Sequence, residues 1–117
     1  MPIVRLAFFE GALKQGHERA FFAYAEDRLV PLWTSFPNLL AFRMMPGGTS
    51  DDGAHPFVLM LEFTYSSHAA MAEALASPIR AKSREVTQGL FEFFGGRISH
   101  IVVEATDFAP LGDGPPV

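Results

Sequence analysis

The sequence of 117 residues contains no cysteine. Disulfide frameworks, thiolate nucleophiles and cysteine-based zinc sites are therefore excluded as the basis of its fold or its chemistry. A chain of this length predicts a single domain that can bury a core without covalent or metal cross-links.

Basic residues are few, never form a run, and leave a formal net charge of −4. This charge argues against nucleic acid or an anionic membrane as a partner. Long apolar runs are also missing, since Arg5 and Glu10 interrupt the N-terminal segment "MPIVRLAFFEGALKQG". That segment resembles neither a signal peptide nor a membrane span. We therefore expect a soluble, cytoplasmic protein.

Apolar residues, in contrast, are abundant: they make up 49% of the chain and include twelve phenylalanines. One compact core of this size does not easily hide so many apolar side chains. We expect the remainder to be buried against a second copy of the chain, in a homodimer.

The spacing of the apolar residues predicts the element order β-α-β-β-α-β. Pro31 is expected to kink the first helix or to end its first segment near Val30. Ser77-Pro78 is expected to divide the second helix, with Ser77 as N-cap. Gly95-Gly96 is expected to end the second helix. The predicted strands are 3–10, 39–45, 57–65 and 98–105, and the predicted helical regions are 17–36 and 66–94.

With right-handed crossovers, this order predicts an α+β, ferredoxin-like sandwich. Its four-stranded antiparallel sheet has the order 4-1-3-2, and both helices cover one face. We assign residues 1–108 to this domain, with a hairpin loop at 46–56, and residues 109–117 to a Pro/Gly-rich tail.

Side chains alternate along each strand, so the sheet has two sets of side chains. One set carries no charge and is expected to face the helices: Val4, Leu6, Phe8, Leu40, Phe42, Met44, Phe57, Leu59, Leu61, Phe63, Ile101 and Val103.

The second set mixes apolar and ionisable residues on every strand. A solvated face is usually more polar than this, so we interpret it as the wall of a cavity closed by the sheet of a second subunit. Its members are Ile3, Arg5, Ala7, Phe9, Leu39, Ala41, Arg43, Met45, Val58, Met60, Glu62, Thr64, Ile98, His100, Val102 and Glu104.

The charged members of the second set also suggest a structural interpretation. Arg43 and Glu62 can lie directly opposite each other, and Arg5 on the central strand lies between the strands of Glu62 and Glu104. The two positive and two negative charges balance, as buried ions require. The alternative interpretation of these four residues is therefore a salt-bridge network that fixes the register of a dimer.

Two short motifs suggest a relative. The segment Ala74–Arg80, "ALASPIR", precedes a helix, and Phe94–Arg97, "FGGR", leads into the strand of His100. This pattern resembles the dimeric α+β barrel superfamily, and within it the EthD-like branch. The resemblance implies a homodimer whose sheets form a barrel, with a ligand cavity on the sheet face away from the helices. The superfamily includes cofactor-independent monooxygenases, isomerases and haem-binding enzymes.

We interpret the chain as a small-molecule-binding protein of this kind. Its candidate reaction is cofactor-independent oxygenation or isomerisation of a small aromatic or polyketide-like compound. The alternative is a non-catalytic ligand-binding or dimerisation module.

His100 is the candidate acid/base because its unperturbed pKa is near neutral, although Glu104 lies about 13 Å away along the strand. Arg5 or Arg43 would hold an anionic substrate. No metal is expected, since Glu62, His100 and Glu104 do not form a recognised ligand set. No cofactor is expected either. The candidate ligand-binding residues are Arg5, Phe9, Arg43, Met45, Met60, Glu62 and Glu104, with Val102 also in the wall.

Overall fold

The computed structural model describes residues 1–112 and confirms the α+β architecture. Of the tail assigned to 109–117, residues 113–117 lie outside the described part, and 109–112 contain no helix or strand. Within residues 1–112, no helix has the length and apolar character that a membrane crossing requires.

The strands are β1 (Ile3–Leu13), β2 (Ala41–Pro46), β3 (Phe57–Tyr65) and β4 (Phe94–Glu104). The helices are α1 (Glu18–Tyr24), α2 (Val30–Trp33), α3 (His68–Leu75) and α4 (Pro78–Thr87). A π-helical segment spans Ala25–Leu29, and a 3-10 turn spans Gln88–Glu92.

The four strands form one antiparallel sheet in the order β2-β3-β1-β4, which confirms the predicted topology. β1 is a central strand and hydrogen-bonds to both β3 and β4. The register of β1 therefore determines which side chains of these three strands share a face.

The core lies between one sheet face and the helices. Leu59 and Leu61 of β3 are buried there against Phe21, Leu29 and Trp33 of the first helical region. The aromatic rings interlock, with Phe36 stacked on Phe63 at a centroid distance of 5.4 Å. Edge and stacked contacts of this kind add to the stabilisation that comes from burial alone.

Serine and proline residues define where two of the helices begin. The hydroxyl of Ser77 accepts a hydrogen bond from the backbone N–H of Arg80, so Ser77 caps α4 as predicted. Pro31 lies in the first turn of α2, directly after the π-helical segment. The first helical region widens before the proline, which lacks an N–H group, instead of ending there.

The predicted division of side chains between the two faces is confirmed for β2 and for β3 from Leu59 onwards, but it is wrong for β1 and β4. It is also wrong at the start of β3, where the register shifts and the ring of Phe57 lies 5.0 Å from that of Phe8. The ring of Phe9 packs edge-on against Phe21 of α1 at 6.4 Å, so the odd-numbered residues of β1 face the helices. His100 lies opposite Ala7 and therefore shares that face. Both alternating sets of β1 are largely apolar, so periodicity could not distinguish the buried set.

The uncovered face consequently carries the side chains of β1 and β4 that were expected in the core. It includes Val4, Leu6 and Phe8 of β1, and Ile101 and Val103 of β4, which are 50% and 40% exposed. The polar network predicted there does not form as proposed. Arg43 does lie opposite Glu62, as expected, but Arg5 lies opposite Phe63 and Val102 on the other face, and Glu104 lies opposite Ile3.

The glycines expected to end the second helix lie within β4, because the helical path ends before Phe94. Gly96 pairs with Gly11 at a point where the two backbones approach closely. A Cβ on Gly96 would lie 1.9 Å from the carbonyl oxygen of Glu10, and Gly96 has a φ of 156°. Only glycine fits this contact, which extends the β1–β4 ladder past the edge of the core.

We predict that Gly96→Ala lowers the free energy of unfolding by about 2 kcal/mol, because the new methyl group must push the β1 backbone away. Urea denaturation of the purified protein measures this change. Gly95→Ala is the matched control, since a Cβ at Gly95 meets no atom within 4 Å. Equal stability of the two variants would contradict the close approach described for Gly96.

Candidate functional site

A cavity of about 530 Å³ lies between the helix-facing side of the sheet and the helices. Its floor is formed by β1, β3 and β4, and its roof by α2, α4 and the 3-10 turn. Volumes of this size accommodate drug-sized ligands. About half of its lining residues are aromatic or aliphatic: Ala7, Phe9, Trp33, Phe36, Leu61, Phe63, Tyr65, Leu75, Phe91 and Ile98.

The cavity is deep above the central strand β1 because the side chain at position 7 is only a methyl group. Ala7 lies between Leu61 on β3 and His100 on β4 in the same row of the sheet, and it is buried. A methyl group at this position leaves space beneath the helices that a larger residue would fill. The register of β1 thus places His100 at the edge of that space.

α4 supplies the polar part of the roof through a single stripe of its surface. Arg80, Ser83, Arg84 and Thr87 all line the cavity, and their spacing of three and four residues places them on one helix face. The neighbouring face of α4 packs against the core through Ile79 and Val86.

The cavity has a strongly basic lining. Four arginines contribute to it, and no aspartate or glutamate within residues 1–112 does. Arg97 is neutralised by Glu10, whose carboxylate lies 3.1 Å from the guanidinium. Arg5, Arg80 and Arg84 form no ion pair with any residue of the described chain.

The three arginines lie close enough for their charges to affect one another's pKa values. Burial lowers the pKa of Arg5 first, and the charge of Arg80 lowers it further. The pKa of Arg80 is likewise lowered, mainly by burial and then by Arg84. Arginine remains protonated under such conditions, so the cavity retains an excess of positive charge.

Tyr65 of β3 adds a hydrogen-bonding group to this basic region. Its side chain lines the cavity and is completely buried, and its hydroxyl has no hydrogen-bond partner among residues 1–112. Burial raises the pKa of this phenol, while Arg5 and Arg80 act in the opposite direction. The group is therefore a protonated donor near neutral pH. A buried hydroxyl without a partner costs about 1–3 kcal/mol, which a bound acceptor would recover.

His100 has a pKa lowered to about 4, first by desolvation and then by the charges of Arg5, Arg80 and Arg84. Near neutral pH its ring is consequently uncharged, with one nitrogen able to accept a proton. The side chain lies at the edge of the cavity, and the three guanidiniums that also line the cavity lower its pKa in addition to the effect of desolvation.

The structure brings together only some of the predicted site residues. Arg5, Phe9 and His100 line the cavity, but within one subunit and beneath the helices, so the expectation that they face a second sheet is wrong. Arg43, Met45, Met60 and Glu62 lie on the uncovered face. Val102 and Glu104 are exposed near the end of β4 outside the cavity lining, and Glu104 lies 3.8 Å from His68.

The sequence interpretation missed Tyr65, Arg80 and Arg84. The two arginines carried a usable signal, since a polar stripe at helical spacing lies beside the apolar face of α4. Tyr65 carried none, because a tyrosine at the end of an apolar strand is common. No group of three or more metal-binding side chains is placed to hold a metal ion within residues 1–112.

We predict that the imidazole of His100 titrates with a pKa of about 4 and that Arg80→Gln raises this pKa towards 6.5, because one repelling charge is removed. NMR titration of the ring protons measures both values. Since folding lowers this pKa, the contribution of His100 to stability is fully present above pH 6.5 and is lost as the pH falls towards 4.

Arg19→Gln serves as the control for this titration, because it removes the same charge from an exposed site on α1 that does not line the cavity. An unshifted pKa of His100 in the wild-type protein would contradict the clustering of Arg5, Arg80 and Arg84 around the imidazole.

Comparison with solved structures supports the fold. An ethyl tert-butyl ether D (EthD) family protein from Bacillus halodurans superimposes with a TM-score of 0.71 at 20% identity, over 91% of this chain and all of that one. A dimeric ferredoxin-like protein of unknown function from Jannaschia superimposes with a TM-score of 0.60 at 15% identity, over 90% of this chain and all of that one.

The cofactor-independent oxygenase SnoaB from Streptomyces nogalater is also similar, with a TM-score of 0.61 at 15% identity over 93% of this chain and 97% of SnoaB. No protein-family model and no curated protein matches the sequence. The predicted resemblance is thus confirmed as a shared fold: the chain has the ferredoxin-like fold of EthD-family and dimeric α+β barrel proteins.

Proposed function

We propose that this protein binds a small, planar aromatic compound in the cavity between its sheet and its helices. The observation that carries this proposal is the composition of the cavity wall. Aromatic rings line the space from both the sheet and the helices, and Arg5, Tyr65 and Arg80 place hydrogen-bonding groups beside them. Ligand pockets typically combine an apolar wall with a few orienting polar groups.

The activity that we propose is cofactor-independent oxygenation. His100 accepts a proton from an activated C–H or O–H group of the ligand, and Arg5 and Arg80 stabilise the resulting anion. The electron-rich anion then reacts with O₂. For a ring methylene, one oxygen atom enters the product as a carbonyl, and the other leaves as water with the two hydrogens of the methylene. Isomerisation would begin with the same proton transfer. The likeness to SnoaB supports this reaction class.

A second candidate function is ligand binding without catalysis. It is favoured by the low pKa of His100, because a base with a pKa of about 4 removes protons from weak acids poorly. The arginines and Tyr65 would be sufficient to hold an acidic ligand in that case.

We also propose that two subunits pair through the uncovered faces of their sheets. Leu6, Phe8 and Met60 on that face are half-buried, and Ile101 and Val103 are exposed. A continuous apolar patch on one side of a sheet is typical of a subunit interface. In this arrangement each subunit has its own complete cavity, since the cavity lies on the opposite side of the sheet.

We predict that Ile101→Asp converts the dimer into a monomer, because it buries an unpaired carboxylate in the interface. Native mass spectrometry over a range of protein concentrations measures the change. Val102→Asp is the matched control, since the neighbouring residue projects from the other face of β4 and lies outside the cavity lining. A monomeric wild-type protein, or dissociation by both variants, would contradict the proposed interface.

For the catalytic proposal we predict that the protein accelerates O₂ consumption by anthrone, whose ring methylene is a carbon acid. His100→Gln should slow this reaction about a hundredfold, because general-base catalysis contributes at least that much. An oxygen electrode and the absorbance of the anthraquinone product measure the rate. His55→Gln, in the exposed hairpin loop, is the control.

Ala7→Leu tests the location of the reaction. The larger side chain fills the floor of the cavity and should abolish turnover, whereas Ala12→Leu, at an exposed position of the same strand, should not. Tight binding of anthrone without O₂ consumption would support the non-catalytic function instead.

A further inference from the structure

We propose that the basic end of the cavity is a subsite for a carboxylate group of the ligand, formed by Arg5, Arg80 and the hydroxyl of Tyr65, with Arg84 at its rim. The ligand is then an aromatic carboxylic acid. This inference rests on the proposed function, because it requires that the cavity binds an aromatic compound, and it specifies the class of that compound.

The first argument is the imbalance of charge. Of the four arginines in the lining, only Arg97 has a carboxylate partner within residues 1–112. The remaining three repel one another, which is unfavourable in the empty protein unless a negative charge is added. Arg80 also lies in the first turn of α4, where the helix dipole is positive and no acidic residue is present. An anion at this end of the cavity would be attracted by every one of these groups.

The second argument is the position of the two half-buried guanidiniums. Arg5 rises from the central strand, and Arg80 descends from α4, so they approach the cavity from its floor and its roof. The flat guanidinium groups match the two oxygens of a carboxylate. A planar ring attached to that carboxylate would extend towards the aromatic wall, where Phe9, Trp33 and Phe63 lie.

The third argument is the free hydroxyl of Tyr65. Its side chain is fully buried, lines the same end of the cavity as Arg5, and has no partner in the described chain. Tyr65 lies opposite Ile3, and Arg5 lies opposite Phe63, so the two side chains are diagonal neighbours on adjacent strands. Buried hydroxyls nearly always have a hydrogen-bond partner, and a ligand oxyanion would provide one here.

The pKa of His100 supplies an independent measure of whether a carboxylate is bound. The charged groups that act on it are Arg5 from β1 and Arg80 and Arg84 from α4, with no carboxylate among them. A bound carboxylate would offset their repulsion and raise the pKa of the imidazole. Binding should therefore be accompanied by proton uptake below neutral pH.

The test compares 2-naphthoate with 2-naphthamide, which has nearly the same shape but no charge. Trp33 is the single tryptophan and lines the cavity, so its indole N–H signal in ¹H–¹⁵N NMR spectra reports occupancy directly. We expect the wild-type protein to bind 2-naphthoate at least tenfold more tightly than 2-naphthamide. We also expect the pKa of His100 to rise when 2-naphthoate is bound and to stay low with 2-naphthamide.

The variants separate the contributions of the subsite. Arg80→Gln should remove most of the preference for 2-naphthoate while leaving the affinity for 2-naphthamide within about twofold. Tyr65→Phe should weaken 2-naphthoate binding several-fold and preserve the shape of the cavity. Arg84→Gln, at the exposed rim, should have a smaller effect. Arg19→Gln is the control of equal charge change outside the cavity, and spectra of each free variant verify that it is folded.

The outcomes distinguish the two proposals. Equal affinities for 2-naphthoate and 2-naphthamide, both reported by Trp33, would overturn the carboxylate subsite and leave the aromatic binding site intact. A preference for 2-naphthoate that Arg80→Gln and Tyr65→Phe do not reduce would also overturn it. If neither compound shifts the Trp33 signal, the proposed aromatic ligand itself is contradicted.

Discussion

The structure depends on the register of the central strand β1. Because β1 hydrogen-bonds to β3 on one side and β4 on the other, its alternation determines which side chains of all three strands lie beneath the helices. That alternation places Arg5, Ala7 and Phe9 on the face beneath the helices, together with His100 from β4. A shift of the β1 register by one residue would replace the charged Arg5 and the small Ala7 with larger apolar side chains. The space beneath the helices would then be filled as an ordinary core.

The same strand contributes to the core and to the cavity at different points along its length. Phe9 packs against Phe21 and Phe94 and closes the core at one end, whereas Arg5 and the small Ala7 keep the other end polar and open. Within residues 1–112, three guanidiniums of the cavity have no acidic partner and the hydroxyl of Tyr65 has no hydrogen-bond partner, and both features oppose folding of the empty protein. Such unfavourable groups persist in proteins mainly where they bind or convert a ligand.

The element order, the strand order and the cap at Ser77 could be predicted because each depends on local signals: apolar spacing, turn residues, and serine before proline. The candidate site could be predicted only in part. His100 was identified because its ionisable ring interrupts an apolar strand, and Arg5 for the same reason. Arg43 and Glu62 show that signal equally and yet lie on the other face. Arg80 lies on an element distant in sequence, and only the tertiary structure brings it into the same cavity as Arg5.

The sequence by itself determined the secondary structure and the topology of the sheet, because the apolar periodicity of each segment and the right-handedness of its connections leave few alternatives. It also determined that the sheet has more apolar surface than its helices cover. Only the tertiary structure decided which face of β1 and β4 is covered. Both alternating sets of β1 are apolar enough to be buried, and the choice depends on packing against α1 and α4, which no single strand encodes.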